Sequence, residues 1–142
     1  TRRPDGALRF FASALLVLTL IQLGLGAAAR HFEHVAFIHS HAGFALFVLI
    51  AGLMTAFRAI GKHKDERILR KLGHGTLHTL VLQVLLGVAS LVLVLVNRTS
   101  DPPSEVIVTT AHQLVGAMLL GMAVLMFAWT RKLVAPGRLN AM

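Results

Sequence analysis

Four long apolar runs follow one another along the chain, separated by short stretches that hold most of the charged residues. They cover residues 8–29, 33–57, 72–96 and 106–130. Each has the length of about 20 residues that a helix needs to cross the hydrocarbon core of a bilayer. The polar stretches between them are too short for a separate soluble domain. The pattern therefore predicts an all-α membrane protein in which residues 1–142 form a single transmembrane four-helix bundle.

The basic residues are distributed unevenly among the polar stretches. Of the 14 lysines and arginines, only Arg30 and Arg98 lie in the first and third connections, and the others lie in the two tails and in the basic connection 58–71. Cytoplasmic loops of membrane proteins are enriched in lysine and arginine. We therefore expect an integral protein of the cytoplasmic (inner) membrane with both termini and the connection 58–71 in the cytoplasm. The net charge of +8 then reflects membrane topology, and we expect no nucleic-acid partner.

Two short motifs occur in the same order in both halves of the chain. A Gln-x-x-x-Gly motif lies at residues 22–26 in the first run and at residues 83–87 in the third. A His-x-x-x-Gly motif lies at residues 39–43 in the second run and at residues 112–116 in the fourth. Helices 1 and 3 run in one direction and helices 2 and 4 in the other, so the two-helix repeat is parallel, about an axis along the membrane normal. This symmetry predicts that His39 and His112 face each other across the centre of the bundle.

The two motif histidines have the placement of an axial haem pair. Each lies about six residues inside the outer end of its predicted helix, or roughly 9 Å below the surface of the hydrocarbon core. Two neutral imidazoles at equal depth on facing helices are what bis-histidine haem ligation requires. We therefore predict that His39 and His112 bind haem iron. Gly43 and Gly116, one turn deeper, would leave room for the flat macrocycle, although glycine at such positions also permits close helix packing.

Three further residues are alternatives or additions to this site. His41 competes with His39, because two positions along a helix rotate a side chain by about 200° and both cannot face one iron; the repeat favours His39. Arg98 is a candidate partner for haem propionates, and ordinary interfacial anchoring explains it equally well. Glu33 is a candidate proton carrier or catalytic residue, or simply a charge near the start of its helix.

The remaining chemistry is less specific. His74 and His78 lie one turn apart near the inner end of the third run, and His63 lies in the basic connection. An i, i+4 histidine pair can bind a metal, but no third ligand is evident, so interfacial hydrogen bonding is the favoured interpretation. The chain has no cysteine, which excludes disulfides, thioether-linked haem and cysteine-ligated iron–sulfur clusters.

The stretch from Leu80 to Lys132 resembles the C-terminal part of the haem A synthase family. The resemblance lies in the helix LVLQVLLGVASLVLVL, a short polar loop and the sequence AHQLVGAMLL. Residues 15–57 are similar to the corresponding hairpin less closely, through IHSHAGFALFVL. Members of that family have eight transmembrane helices in two four-helix halves, with histidines on the second and fourth helix of each half. The resemblance thus implies a single half, with the family's ligand positions at His39 and His112.

The resemblance also implies a reaction, the oxidation of a methyl group of haem O towards haem A, with haem b as the alternative bound group. The catalytic half of the family carries Glu-x-x-His-Arg on its second helix, where this chain has Ala-Phe-Ile-His-Ser at residues 36–40. The outer-loop cysteine pair of many members is absent too. The alternative function is therefore a b-type cytochrome that transfers electrons without converting haem. Either function is compatible with a homo-oligomer or a larger membrane complex, whereas a haem-free anchor would leave the matched histidines unexplained.

Overall fold

A computed structural model of the chain describes residues 5–32, 34–97 and 102–132. These residues form four α-helices, α1 (Gly6–His31), α2 (Val35–Lys62), α3 (Arg67–Val96) and α4 (Pro103–Lys132). Each helix is long and apolar enough to cross a membrane. The predicted all-α membrane bundle of four helices is confirmed.

The helices are longer than the apolar runs that predicted them. Helix α2 continues to Lys62 and α3 begins at Arg67, so only residues 63–66 remain of the connection expected over 58–71. Hydropathy marks the part of a helix that lies in hydrocarbon. The helical hydrogen bonds continue into the headgroup region, where the long stems of lysine and arginine carry their charges to water.

The four helices form a ring in chain order. Helix α1 packs against α2 and α4, and α3 packs against the same two helices, which leaves α1 opposite α3 and α2 opposite α4. We call the end with the α1–α2 and α3–α4 connections the hairpin end. The end with the α2–α3 connection and most of the basic residues is the basic end.

Buried apolar side chains occupy the middle of the bundle and its basic half. One cluster, in the middle, contains Leu15, Val48, Ala51, Leu80, Leu119 and Ala123. A second, near the basic end, contains Leu8, Ala12, Ala59, Leu69 and Met126. In the described parts of the hairpin half, beyond Thr19, Val48, Leu80 and Val115, no residue is fully buried. The apolar core therefore stops halfway along the bundle.

The buried positions repeat between the two hairpins, as the shared motifs predicted. Helices α1 and α3 have buried residues at matching spacing, namely Leu8, Ala12, Leu15 and Thr19 in α1 and Leu69, Gly73, Thr76 and Leu80 in α3. Helices α2 and α4 match in the same way, with Val48, Gly52, Thr55 and Ala59 in α2 and Leu119, Ala123, Met126 and Thr130 in α4. The parallel repeat is therefore a repeat of packing faces as well as of motifs.

One carboxylate joins α1 to α2 at the basic end. Asp5 caps α1, where its Oδ1 accepts a hydrogen bond of 2.6 Å from the backbone N–H of Leu8. Its Oδ2 lies 3.3 Å from the guanidinium of Arg58 and 3.5 Å from the ammonium of Lys62, both on α2. Burial alone would raise the pKa of Asp5, but the Leu8 hydrogen bond and the charges of Lys62 and Arg58 outweigh it and hold the pKa below its ordinary value.

Helices α2 and α3 approach most closely at Gly73. A Cβ at this position would lie 3.1 Å from the carbonyl oxygen of Ala56 and 2.9 Å from Cγ1 of Ile60. Because a backbone atom of α2 is one of the obstacles, Gly73→Ala forces the two helices apart, and we expect a loss of about 1–3 kcal/mol of stability. A Cβ at Gly121 would meet nothing within 4 Å, so Gly121→Ala is the matched control and should be neutral or slightly stabilising. Thermal unfolding in detergent measures both; equal losses would contradict the close approach.

The ion pairs of Asp5 should make stability depend on pH. A carboxylate whose pKa is lowered by folding stabilises the protein above the unfolded-state pKa, and that contribution is lost as the pH falls through the folded-state value. Asp5→Asn keeps the helix cap but removes the charge, so its destabilisation should be complete at pH 7 and should shrink below about pH 4, as the pH falls towards the lowered folded-state pKa of Asp5. Asp5→Ala also removes the cap and should lose about 1 kcal/mol more at every pH. Unfolding measured between pH 3 and pH 7 tests this, and a pH-independent effect of Asp5→Asn would refute it.

Candidate haem site

Each helix contributes one polar side chain to a layer inside the hairpin half. These residues are Gln22 of α1, His41 of α2, Gln83 of α3 and His112 of α4. The imidazole rings of His41 and His112 come from diagonally opposite helices and meet across the centre, with ring centroids 6.2 Å apart and ring planes at 84°. The bundle therefore brings two nearly perpendicular imidazole rings close together where its apolar core has ended.

A glycine on the neighbouring helix accommodates each ring. A Cβ at Gly26 would lie 3.0 Å from Cε1 of His41, and a Cβ at Gly87 would lie 3.0 Å from Cε1 of His112. Nδ1 follows at 3.4 Å and 3.5 Å, respectively. Nε2 lies at 3.7 Å and 3.8 Å, so each ring points Cε1 at the space that the glycine leaves open. The two contacts are related by the internal repeat.

The glutamines complete the layer. Nε2 of Gln22 donates a hydrogen bond of 2.9 Å to the backbone carbonyl of His41. Gly116 is buried, and a Cβ there would lie 3.1 Å from Nε2 of Gln83, so this glycine makes room for the Gln83 amide. Sequence reasoning had expected Gly116 to make room for a haem, and it had given the two glutamines no role.

Four buried polar atoms of this layer have no hydrogen-bond partner. They are Oε1 of Gln22, Oε1 of Gln83, Nδ1 of His41 and Nδ1 of His112. The backbone of Gln22 lies close to the His41 ring, and that of Gln83 lies close to the His112 ring. Neither Nδ1 makes a hydrogen bond of standard geometry. Unpartnered polar groups are costly in a membrane interior, so such a layer is suited to binding a polar or metal-containing group.

His39 is not part of this layer. It is exposed on the outside of the bundle, where its Nδ1 lies 2.9 Å from the carbonyl oxygen of Val35 on its own helix. It shares its face with Leu46, Ile50 and Phe57, all more than half exposed. The expected facing pair of His39 and His112 is therefore corrected to His41 and His112.

The reason for the correction lies in the helical face. His41 precedes the buried residues of α2 by seven, 11, 14 and 18 positions, and His112 precedes those of α4 by the same intervals. These intervals return to one side of an α-helix. The spacing between His39 and Gly43 predicts His39 as the counterpart of His112. The spacing from the buried residues of α2 instead identifies His41 as that counterpart.

Three other predicted site residues have different outcomes. Gly43 is exposed, and a Cβ at this position would meet nothing within 4 Å, so it does not open space inside the bundle. Its expected role is corrected in the same way as that of His39, because both lie on the outer side of α2. Glu33 and Arg98 lie outside the described residues, and their suggested roles stay predictions.

Glu105 is a carboxylate that the sequence reasoning missed. It lies in the first turn of α4, seven residues before His112, which puts it on the same face about 10 Å nearer the hairpin end. Its Oε2 is buried without a hydrogen-bond partner. Between the two, Thr109 donates a hydrogen bond of 2.8 Å to the Glu105 carbonyl. The two-turn spacing from His112 is the signal that could have found it.

The other histidines do not form a metal site. His74 and His78 are exposed on α3 with ring centroids 6.5 Å apart, and His78 Nδ1 lies 2.8 Å from the His74 carbonyl oxygen. His63 is buried at the basic end with neither ring nitrogen hydrogen-bonded. Within residues 5–32, 34–97 and 102–132, no group of three or more His, Cys, Asp or Glu side chains could hold a metal ion.

Comparisons with protein-family models, with curated proteins and with solved structures found no match.

Cysteine pairs can decide which α2 histidine faces α4, since the chain has no native cysteine. Among the described residues, no Cα atoms of α2 and α4 lie within 8 Å, so a direct disulfide is not expected. A short bifunctional thiol reagent should bridge the pair His41→Cys and His112→Cys within one chain. The pair His39→Cys and His112→Cys should instead carry two singly attached reagent molecules. Intact mass under denaturing conditions distinguishes the products, and the opposite pattern would overturn the placement of His41.

Proposed function

We propose that the chain is a membrane haem protein whose haem iron is held between His41 and His112, and that it acts as a compact protein of haem A synthase type. One observation carries the proposal. Two imidazoles from opposite helices meet at 6.2 Å in a polar layer where the apolar core has ended. The Nδ1 atom of each ring is buried without a partner.

The number of ligands favours haem over a bare metal ion. A structural zinc ion needs four protein ligands and a catalytic one three, whereas this layer supplies two histidines and the described residues hold no larger ligand group. In a haem the macrocycle supplies four nitrogens, and the protein adds only the axial pair. With metal–nitrogen bonds of about 2 Å and ring nitrogens about 1 Å from the centroids, two axial imidazoles have centroids about 6 Å apart. The observed separation fits that geometry.

The surroundings of the rings fit the same role. A ligating imidazole usually donates its second ring N–H to a carbonyl or carboxylate, which fixes the tautomer. Each Nδ1 lies on the ring edge that faces Gly26 or Gly87, with the backbone of Gln22 or Gln83 nearby. This arrangement orients Nδ1 towards helix backbone and leaves Nε2 for the iron. Gln22 fixes the backbone of α2 at the ligand itself through its bond to the His41 carbonyl.

Support for the reaction comes from the resemblance around His112. The sequence AHQLVGAMLL contains this histidine and Gly116, and the Gln-x-x-x-Gly helix contributes Gln83 and Gly87. All four residues lie in or against the polar layer. With haem O itself bound between the two histidines as the substrate, conversion of its methyl group to a formyl group would take the oxygen atom from water and release protons, with the electrons passing to an external electron acceptor. Glu105 is the described carboxylate on the His112 face, and its buried Oε2 suits the transfer of protons between the site and the hairpin end.

A second function, electron transfer by a b-type cytochrome, is favoured by the equivalence of the two ligands. Each ring faces a glycine at which a Cβ would lie 3.0 Å from the ring, and each Nδ1 is buried without a partner. An enzyme that works on its bound haem benefits from one displaceable ligand, whereas an electron carrier keeps both axial ligands bound. In either case the charge distribution favours a location in the cytoplasmic membrane with the hairpin end outside.

Haem content and spectra of single variants test the ligand pair. The purified protein should show a low-spin bis-histidine spectrum. Either His41→Ala or His112→Ala should abolish that spectrum and lower the haem content at least tenfold, because one axial ligand is lost. His39→Ala is the matched control on the same helix and should leave both unchanged. Loss of haem in His39→Ala with retention in His41→Ala would reject the proposed pair.

The chemical identity of the extracted haem separates the two functions. Haem A or a hydroxylated haem O would support the haem A synthase type, whereas haem b alone would support the cytochrome. Protein without bound haem after expression with ample haem supply would contradict both functions.

A further inference from the structure

A cleft opens between α1 and α4 at the basic end, far from the polar layer. It has a volume of about 260 Å³ and is lined by Gly6, Arg9, Phe10, Ser13, Thr130 and Arg131. Both arginines are exposed, so two guanidinium groups from different helices border one opening. Guanidinium groups bind phosphate and carboxylate oxygens with paired hydrogen bonds.

Neither arginine forms an ion pair with a carboxylate of the described residues. The ion pairs among the described residues are those of Asp5 with Arg58 and Lys62. Asp5 is the carboxylate nearest to the cleft in sequence, and it is engaged by these two pairs. The guanidinium of Arg131 instead lies 4.3 Å from the ring centroid of Phe127. The described residues of the basic end otherwise hold two carboxylates, Asp65 and Glu66, in the α2–α3 connection. The cleft is therefore a site of uncompensated positive charge.

The cleft continues into apolar surface towards the middle of the bundle. On α1, Val17 and Leu20 follow Ser13 on the same face and are 54% and 53% exposed. On α4, Phe127 and Val124 precede Arg131 by one and two turns. A cationic mouth followed by an apolar groove between two membrane-spanning helices has the shape and polarity of a phospholipid.

We propose that this cleft binds the headgroup of an anionic phospholipid, with the phosphate between Arg9 and Arg131 and the acyl chains along the groove between α1 and α4. Basic pockets between transmembrane helices bind anionic headgroups in this way. Phe10, which lines the cleft and is 67% exposed, favours a lipid over a free anion, because an exposed aromatic ring beside the two cations offers an apolar contact that a free anion would not use. The proposal goes beyond the proposed function and does not depend on haem.

Binding of phosphatidylglycerol to the purified full chain tests the site, with phosphatidylcholine and inorganic phosphate as the other two probes. The variant R9Q/R131Q should bind phosphatidylglycerol about 25-fold more weakly, at about fivefold for each lost cation. The variant R67Q/R70Q removes two exposed arginines from the same end but outside the cleft, and its binding should change less than threefold. Native mass spectrometry and lipid-dependent unfolding temperature provide two independent measurements.

A second variant protects the test against misfolding. Ser13→Phe fills the cleft without changing charge, and it should weaken phosphatidylglycerol binding to a similar extent. Equal weakening in R67Q/R70Q and R9Q/R131Q would show non-specific attraction and overturn the proposal. Equal binding of phosphatidylcholine, or full competition by millimolar inorganic phosphate, would overturn it as well. A change of oligomeric state in R9Q/R131Q without a change in lipid binding would assign the cleft to a second copy of the chain instead.

Discussion

A membrane interior has no water to satisfy polar groups, and the hairpin half of this bundle depends on that constraint. Each helix carries one polar side chain to the same layer, and backbone contacts satisfy only part of their hydrogen-bonding capacity. An unpaired polar group in hydrocarbon costs several kcal/mol, and four such atoms lie together here. The glycines at 26 and 87 let each imidazole lie directly against a neighbouring helix. Small residues thus make room for the layer, and four of its buried polar atoms remain without hydrogen-bond partners.

The other half of the molecule supplies the rigidity that such a layer needs. Two apolar clusters fill the bundle from its middle to the basic end, and Gly73 brings α2 and α3 into backbone contact there. Asp5 fixes the start of α1 to the end of α2. His41 and His112 therefore lie in the half of the bundle without an apolar core, on helices that are packed together in the other half. A large planar group can enter between four such helices with less disturbance than in a bundle with a continuous core, because no buried apolar side chains have to be displaced.

Hydropathy was enough to predict four membrane helices, and the repeated motifs drew attention to His112 while giving Gln22 and Gln83 no role. Neither hydropathy nor the motifs could distinguish His39 from His41, because hydropathy is nearly uniform around a membrane helix and does not mark the inner face. The glycine spacing that favoured His39 is satisfied on the outside of α2 as easily as on the inside. Burial settles the face, since His41 lies in line with Val48, Thr55 and Ala59. Helix ends were underestimated for a related reason, because the basic residues that end the apolar runs are still helical.

The repeat makes the two candidate ligand positions alike, so any directional chemistry must come from where the repeat fails. Seven residues before His112 stands Glu105, with a buried Oε2. Seven residues before His41 stands His34, an exposed residue that caps α2 and accepts a hydrogen bond from Ala36. Among the described residues, only the α4 side thus has a carboxylate two turns before its candidate ligand; Glu33, eight residues before His41, lies outside them. A symmetric electron carrier has no need for this difference, whereas a reaction that releases protons at the haem does. Glu105 is therefore the residue whose role separates the two proposed functions most directly.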